Sequence, residues 1–302
     1  MLKALALAAL ASIVLSGCSA TPRRSSEALP AEPRSAVRIF DRQGNPTTWE
    51  FMRSEVAGAD VIVIGESHGH PLGLEAAACL FDDVLATRPD AALLLEFFER
   101  DKQIALDDYL AGVTDEEGFK KASGRTAGNY PPGHRRMLEA AKARGRPVVA
   151  ANAPMRYVRR TTSDGYADLT SLSPRQQALF VVPDSLVEGK YRADFAHMMS
   201  GHGDGAMPPE RIEKMYRSQQ MWDATMADSI ASTLRGGNSP VVLVVGRFHA
   251  DFEGGTIQLL RRAEPDVRVR TLSMVDRDGD AIDPEDVGRA DFVVYVGASP
   301  DE

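Results

Sequence analysis

The chain is poor in cysteine, histidine and tryptophan: 302 residues contain Cys18 and Cys79, six histidines and two tryptophans. Two cysteines cannot staple a small disulfide-rich fold, so a hydrophobic core must carry stability. Positive charge is also scarce. Thirty-five Lys and Arg face forty-three Asp and Glu, for a net charge of −8. No basic field is available to engage phosphates, which argues against nucleic acid as a partner. Apolar runs are short, and that of the first seventeen residues cannot span a bilayer as a permanent helix. The rest is ordinary globular composition, 43% hydrophobic and 26% charged. Its length suits one large domain, or one domain with an insertion.

The amino-terminal segment reads as an export signal: a basic start at Lys3, an apolar core from Ala4 to Val14, then Leu15-Ser16-Gly17-Cys18. That ending looks like a bacterial lipobox, in which Cys18 is diacylated and becomes the new amino terminus. The expectation is a signal peptide over 1–17 and a flexible tether over 18–36, rich in Ser, Pro and Ala. Ser19 after the cysteine, by resemblance to Gram-negative lipoproteins, points to an outer-membrane anchor facing the periplasm. With Cys18 lipidated, Cys79 has no disulfide partner and reads as a small buried hydrophobe.

The chemistry concentrates at strand ends. Val61 to Ile64 is an unbroken β-branched run, expected to be a strand buried on both faces. Gly65 is expected to turn the chain, leaving Glu66, Ser67, His68 and His70 at the strand's carboxyl edge. Val241 to Val245, Gly246, Arg247, Phe248 and His249 repeat the design. Two strand–Gly-x-x-His units bring two imidazoles to one sheet edge, where ligands bind in open α/β sheets. Ala91 to Leu95 is a third apolar run, closing on Glu96. A carboxylate there is costly unless it is paired or reaches solvent. A plain polar loop with no chemistry is the competing reading of these positions.

The rest of the chain frames these strands. Val37–Phe40 and Thr47–Phe51 read as a hairpin. Helices are expected from Leu72 to Thr87, Asp101 to Ala111 and Arg135 to Arg144, with a polar, Gly-rich stretch from Gly112 to Asn129. Another strand ends at Asn152-Ala-Pro154. From Met155 to Leu234 helical patterns dominate (Ser173–Phe180, Tyr191–Met199, Pro209–Leu234), with seven of the eleven methionines. Such methionines suit a lid, a dimer face or an ordinary helical core. After His249 come a helix over Gly255–Ala263 and strands over Val267–Ser273 and Asp291–Val296. The acidic stretch Asp276 to Asp286 lacks EF-hand spacing and reads as a solvated loop. The fold expected is α/β, with a mostly parallel central sheet flanked by helices. Residues 37–154 and 236–302 form the α/β domain, and 155–235 a smaller helical insertion.

Gly65-Glu-Ser-His68, Leu95-Glu96-Phe97, Pro147 to Pro154 and Gly246-Arg-Phe-His249, behind a lipobox, resemble the ChaN-like haem-binding lipoproteins. That family sits in a superfamily with the Tiki and TraB proteins and the erythromycin esterases. The resemblance runs from Asp60 to the last strand and implies a role in iron and haem uptake. It also implies a homodimer holding two haems face to face, with Tyr as iron ligand and His across the dimer, and an outer-membrane haem receptor as a further partner. Tyr157 is chosen as iron ligand on physical grounds. It follows the Asn-Ala-Pro strand end, and Arg156, Arg159 and Arg160 are placed to pair with propionates. His68 and His249 complete the expected haem site. The rival implication is a metal-dependent peptidase or esterase using Glu66, His68, Glu96 and His249. There, His68, Glu96 and His249 would hold zinc, manganese or cobalt. A third reading keeps these residues at the edge without activity.

Overall fold

The computed structural model describes residues 29–200 and 207–298. The signal segment, Cys18 and His202 lie outside the described residues. In chain order the elements are α1 (Pro33–Ala36), β1 (Arg38–Asp41), β2 (Pro46–Thr47), α2 (Trp49–Ala57), β3 (Val61–Glu66), α3 (Pro71–Thr87) and β4 (Ala92–Glu99). Next come α4 (Gln103–Leu110), α5 (Glu116–Ser123), α6 (Pro132–Ala143), β5 (Val148–Asn152), α7 (Met155–Asp164), α8 (Pro174–Gln177), α9 (Lys190–Ser200) and α10 (Pro209–Arg235). The chain closes with β6 (Val241–Gly246), α11 (Gly255–Ala263), β7 (Val269–Val275) and β8 (Phe292–Tyr295).

One eight-stranded sheet runs in the order β2-β1-β8-β7-β3-β6-β4-β5. From β8 to β5 every pairing is parallel, and β1 is antiparallel to both β2 and β8. The α/β expectation holds. The three apolar runs form the adjoining strands β3, β6 and β4, and Val61 to Ile64 and Val241 to Val245 have no exposed surface. Period-two alternation divides them between two layers. Ile62, Ile64, Val242, Val244, Leu93 and Leu95 pack under the α2, α3 and α6 side chains. Val61, Val63, Leu94, Leu243 and Val245 pack under Met226, Ala227 and Ile230 of α10 and Ile257 and Leu260 of α11.

Several elements depart from expectation. β3 runs straight through Gly65 to Glu66, and the turn falls at Gly69, whose φ is +77°. Gly65 serves a close approach instead, because a Cβ there would stand 2.9 Å from the Arg247 Cα. The second hairpin arm ends at Thr47, where Thr48 caps α2 by accepting from the Phe51 amide at 3.2 Å. The 112–129 stretch contains α5, capped by Asp115 and stopped by left-handed Gly124. α6 begins three residues early at Pro132, which brings His134 into the helix. The Ser173–Phe180 helix shrinks to the single turn α8. The acidic loop is not wholly solvated: fully buried Asp286 accepts from the Tyr295 hydroxyl at 2.7 Å and the Arg289 Nε at 2.8 Å. Cys79 is buried, as expected.

Candidate functional site

β3 and β6 are direct neighbours, with Glu66 opposite Gly246 in the ladder. The two Gly-x-x-His units therefore leave the sheet side by side. Glu66, His68, Glu96 and His249 are brought together around Gly246, but on two sides of the sheet plane. Glu66 shares the parity of Ile62 and Ile64 and faces the α6 layer. Glu96 shares the parity of Ala92 and Leu94 and faces the α10 layer, with His249.

On the first side, the buried Glu66 carboxylate takes two imidazoles. His134 Nε2 lies 2.7 Å from Oε2, and His68 Nδ1 lies 3.1 Å from Oε1. Burial alone would raise the Glu66 pKa, but the bonds to His134 and His68 overcome it and hold the carboxyl below its usual range. The bond to Glu66 in turn raises the His68 pKa against a smaller opposing effect of burial. Phe97 packs both imidazoles, with ring centroids 4.0 Å from His134 and 5.7 Å from His68. The His68 side chain is 61% exposed. Its Nε2 lies over Gly246, where a Cβ would stand only 2.6 Å away. Glycine at this point lets the imidazole cross the end of β6.

The second side is buried. Glu96 Oε2 accepts from the Gly246 amide at 2.6 Å, and Oε1 lies 3.6 Å from His249 Nε2. This pairing satisfies the carboxylate that was expected to be costly. His249 Nδ1 lies 2.7 Å from Oδ1 of Asp223, a fully buried residue of α10. Burial opposes charge on His249, but Asp223 and then Glu96 outweigh it and raise its pKa. Tyr191 of α9 donates to Asp223 Oδ2 at 2.8 Å and accepts from Gln219 at 2.9 Å. Burial and then the Asp223 charge push the Tyr191 pKa well above its ordinary value, so it stays a hydroxyl. A cavity of about 500 Å³ opens here, its walls including His68, Tyr191, Gln219, Arg247, Phe248 and His249.

Tyr157 is not brought to this cavity. It is buried in a separate cluster with Val158, Leu169, Phe180 and Met221. Arg156 stacks 4.6 Å from its ring and pairs with Asp101 at 2.7 Å, and Arg160 pairs with Asp168 at 3.4 Å. His70 does not face the cluster either: it caps α3, accepting from the Gly73 amide at 3.2 Å. Sequence reasoning missed His134, Asp223 and Gln219. Polar residues inside apolar helix faces were the available signal. Among the described residues no group of three His, Cys, Asp or Glu is arranged to hold a metal ion. The expected divalent site on His68, Glu96 and His249 thus has no support.

A family model described as haem-binding uptake, Tiki superfamily, ChaN matches residues 52–260. A solved structure titled for cofacial haem binding to ChaN of Campylobacter jejuni is similar at a TM-score of 0.65 and 16% identity, over 85% of this chain and 96% of that one. A Bacillus cereus protein is similar at 0.48 and 10%, over 83% and 91%. An erythromycin esterase mutant in its open conformation is similar at 0.45 and 13%, over 75% and 72%. No curated protein matches.

Proposed function

The chain belongs to the ChaN family of haem-binding uptake proteins within the Tiki superfamily, and on that premise we propose that it holds haem in the cavity at the carboxyl edge of β3 and β6. One observation carries this placement: His68 is an exposed imidazole whose Nδ1 is engaged by buried Glu66, leaving Nε2 directed over Gly246. Metal-ligating histidines characteristically give their other ring nitrogen to a carboxylate, which fixes orientation and raises basicity. Histidine is an ordinary axial ligand of haem iron, and iron supplies the electrophile that such a nitrogen binds. The donor set therefore fits the group. Phe248, Phe252, Tyr191 and Met198 supply apolar wall, and the cavity volume falls within the usual range for organic ligands.

Tyr157 is the competing iron ligand. Its support is proximity to the β5 end and its arginine neighbours, and it requires α7 to expose a buried ring. An absorbance titration of residues 19–302 with haemin separates the two. His68→Ala is expected to lose the saturable Soret shift, and Tyr157→Phe to keep it; the opposite pattern moves the ligand to Tyr157. The remaining parts of the proposal are lipid anchoring through Cys18 in an outer membrane, facing the periplasm, dimerisation around haem, and delivery from an outer-membrane receptor in iron uptake. Haem-dependent doubling of mass in solution would support the dimer.

A hydrolytic reading of the same residues rests on the line Glu96–His249–Asp223, a buried carboxylate–imidazole arrangement suited to proton transfer. It predicts ester or peptide cleavage that Glu96→Gln abolishes with haemin affinity unchanged.

A further inference from the structure

We propose that Asp223 of α10 is a positioning residue for His249: it holds the imidazole with its proton on Nδ1 and offers Nε2 to the ligand in the cavity. The inference rests on the haem placement above for the ligand's identity, a haem or related iron porphyrin. The tautomer stands without it.

The hydrogen-bond capacity of the Asp223 carboxylate fixes the tautomer. Asp223 Oδ1 takes His249 Nδ1 at 2.7 Å and the Thr256 hydroxyl at 2.8 Å. Oδ2 accepts the Tyr191 hydroxyl at 2.8 Å and the Gln220 amide at 3.0 Å. An ionised carboxylate accepts about four hydrogen bonds and donates none. Thr256, Tyr191 and Gln220 occupy three of those places, and the fourth is filled only if Nδ1 carries a proton. Gln219 Nε2 also lies 3.1 Å from Nδ1. Its amide is used by the Tyr191 oxygen at 2.9 Å, and it cannot displace a charge-assisted bond to a fully buried carboxylate.

Three segments build this arrangement. Tyr191 comes from α9, Asp223 from α10 and Thr256 from the first turn of α11, where the helix N-terminus favours a carboxylate. Gly255 makes the approach possible, since a Cβ there would stand 2.2 Å from Asp223 Oδ2 and 2.6 Å from the Tyr191 ring. The helices between β5 and β6 thus reach into the sheet-edge site and set which nitrogen of His249 faces the cavity, where Glu96 Oε1 is 3.6 Å from Nε2. Both imidazoles of the paired units then present Nε2 to one cavity, each backed through Nδ1 by a buried carboxylate.

The test is imidazole ¹⁵N NMR of the full-length chain without haem, at alkaline pH where the ring is neutral, with His249→Gln to assign the signal. The wild-type spectrum decides first and needs no folded variant: His249 is expected in the Nδ1–H form, and finding the Nε2–H form overturns the inference. Asp223→Asn and Gly255→Ala are then expected to shift the population toward Nε2–H and weaken haemin binding about tenfold, the lower end of the usual loss for an outer-shell partner. An Nδ1–H form that survives in folded Asp223→Asn shows that another group sets the tautomer. A shifted tautomer with unchanged haemin affinity removes His249 from the ligand's contacts; either result overturns the inference. Wild-type protein that binds no haemin fails the haem placement instead, and the tautomer result still reports on Asp223.

Discussion

The two Gly-x-x-His units share a strand type, a glycine spacing and adjoining places in the sheet, yet their histidines live in opposite surroundings. His68 leaves β3 toward solvent with its side chain 61% exposed, while the His249 side chain is 9% exposed. The shared spacing does not make this difference. It comes from what is packed on each face of the sheet. The α3 and α6 layer stops short of His68 and reaches only its carboxylate, through His134. On the other face, α9 and α10 close over His249 and add Tyr191, Gln219 and Asp223. The same Gly-x-x-His spacing thus yields one accessible imidazole and one sequestered imidazole, and depth is a tertiary property.

The comparison breaks most sharply at Glu66. Glu66→Ala leaves the buried His134 imidazole without its hydrogen-bond partner, and a buried group left unsatisfied costs about 1–3 kcal/mol. Urea denaturation is expected to show that loss; a change below about 1 kcal/mol would mean that the buried pair contributes little.

The second effect is a pH dependence of opposite sign at the two ends of the range. Glu66 is held below its ordinary pKa, so its contribution is complete above the unfolded carboxylate value of about 4.3 and is lost as pH falls through the folded value. His249 is held above its ordinary pKa, so its contribution is complete below about 6.5 and is lost as pH rises through the folded value. Thermal unfolding across pH is expected to show both limbs in the wild type. His249→Gln should flatten the alkaline limb and leave the acid limb. Equal flattening of both would show that the two sides of the sheet titrate as one unit.

His68→Ala is expected to have a smaller effect on stability, within about 1 kcal/mol, because the pair is exposed at one partner and Glu66 keeps His134. Its consequence should appear in haemin binding rather than in denaturation. A larger stability loss would make His68 a structural residue and remove the contrast with His249. Smallest of all is Arg156→Ala. Its pair with Asp101 is half-exposed, so about 0.5 kcal/mol is expected, with haemin affinity unchanged. Weakened haemin binding there would return the site to Tyr157.

Much of the site was legible before the fold because burial and chemistry disagree at strand ends. A carboxylate closing an apolar run, as Glu66 and Glu96 do, must be paired, and a repeated Gly-x-x-His after two such runs marks two edges meant to meet. The faces of these carboxylates were not legible, because a turn was expected at Gly65, and only the continuation of β3 to Glu66 puts that residue in step with Ile62 and Ile64. Their partners were hidden. His134 and Asp223 sit one per helix, sixty-eight residues after Glu66 and twenty-six before His249, and their one local mark, a polar residue inside an apolar helix face, does not say which strand end it meets. Tyr157 shows the reverse case: its arginine neighbours look like an anion site in the sequence, and in the structure Arg156 and Arg160 pair with Asp101 and Asp168.

The sequence by itself determined the α/β class, the central strands and the edge on which the carboxylates and imidazoles gather, because β-branched runs and period-two burial are local properties. The tertiary structure alone decided the neighbour relation of β3 and β6, the depth of each histidine and the identity of the groups behind it. Those depend on contacts between residues far apart in the chain, which no local pattern encodes.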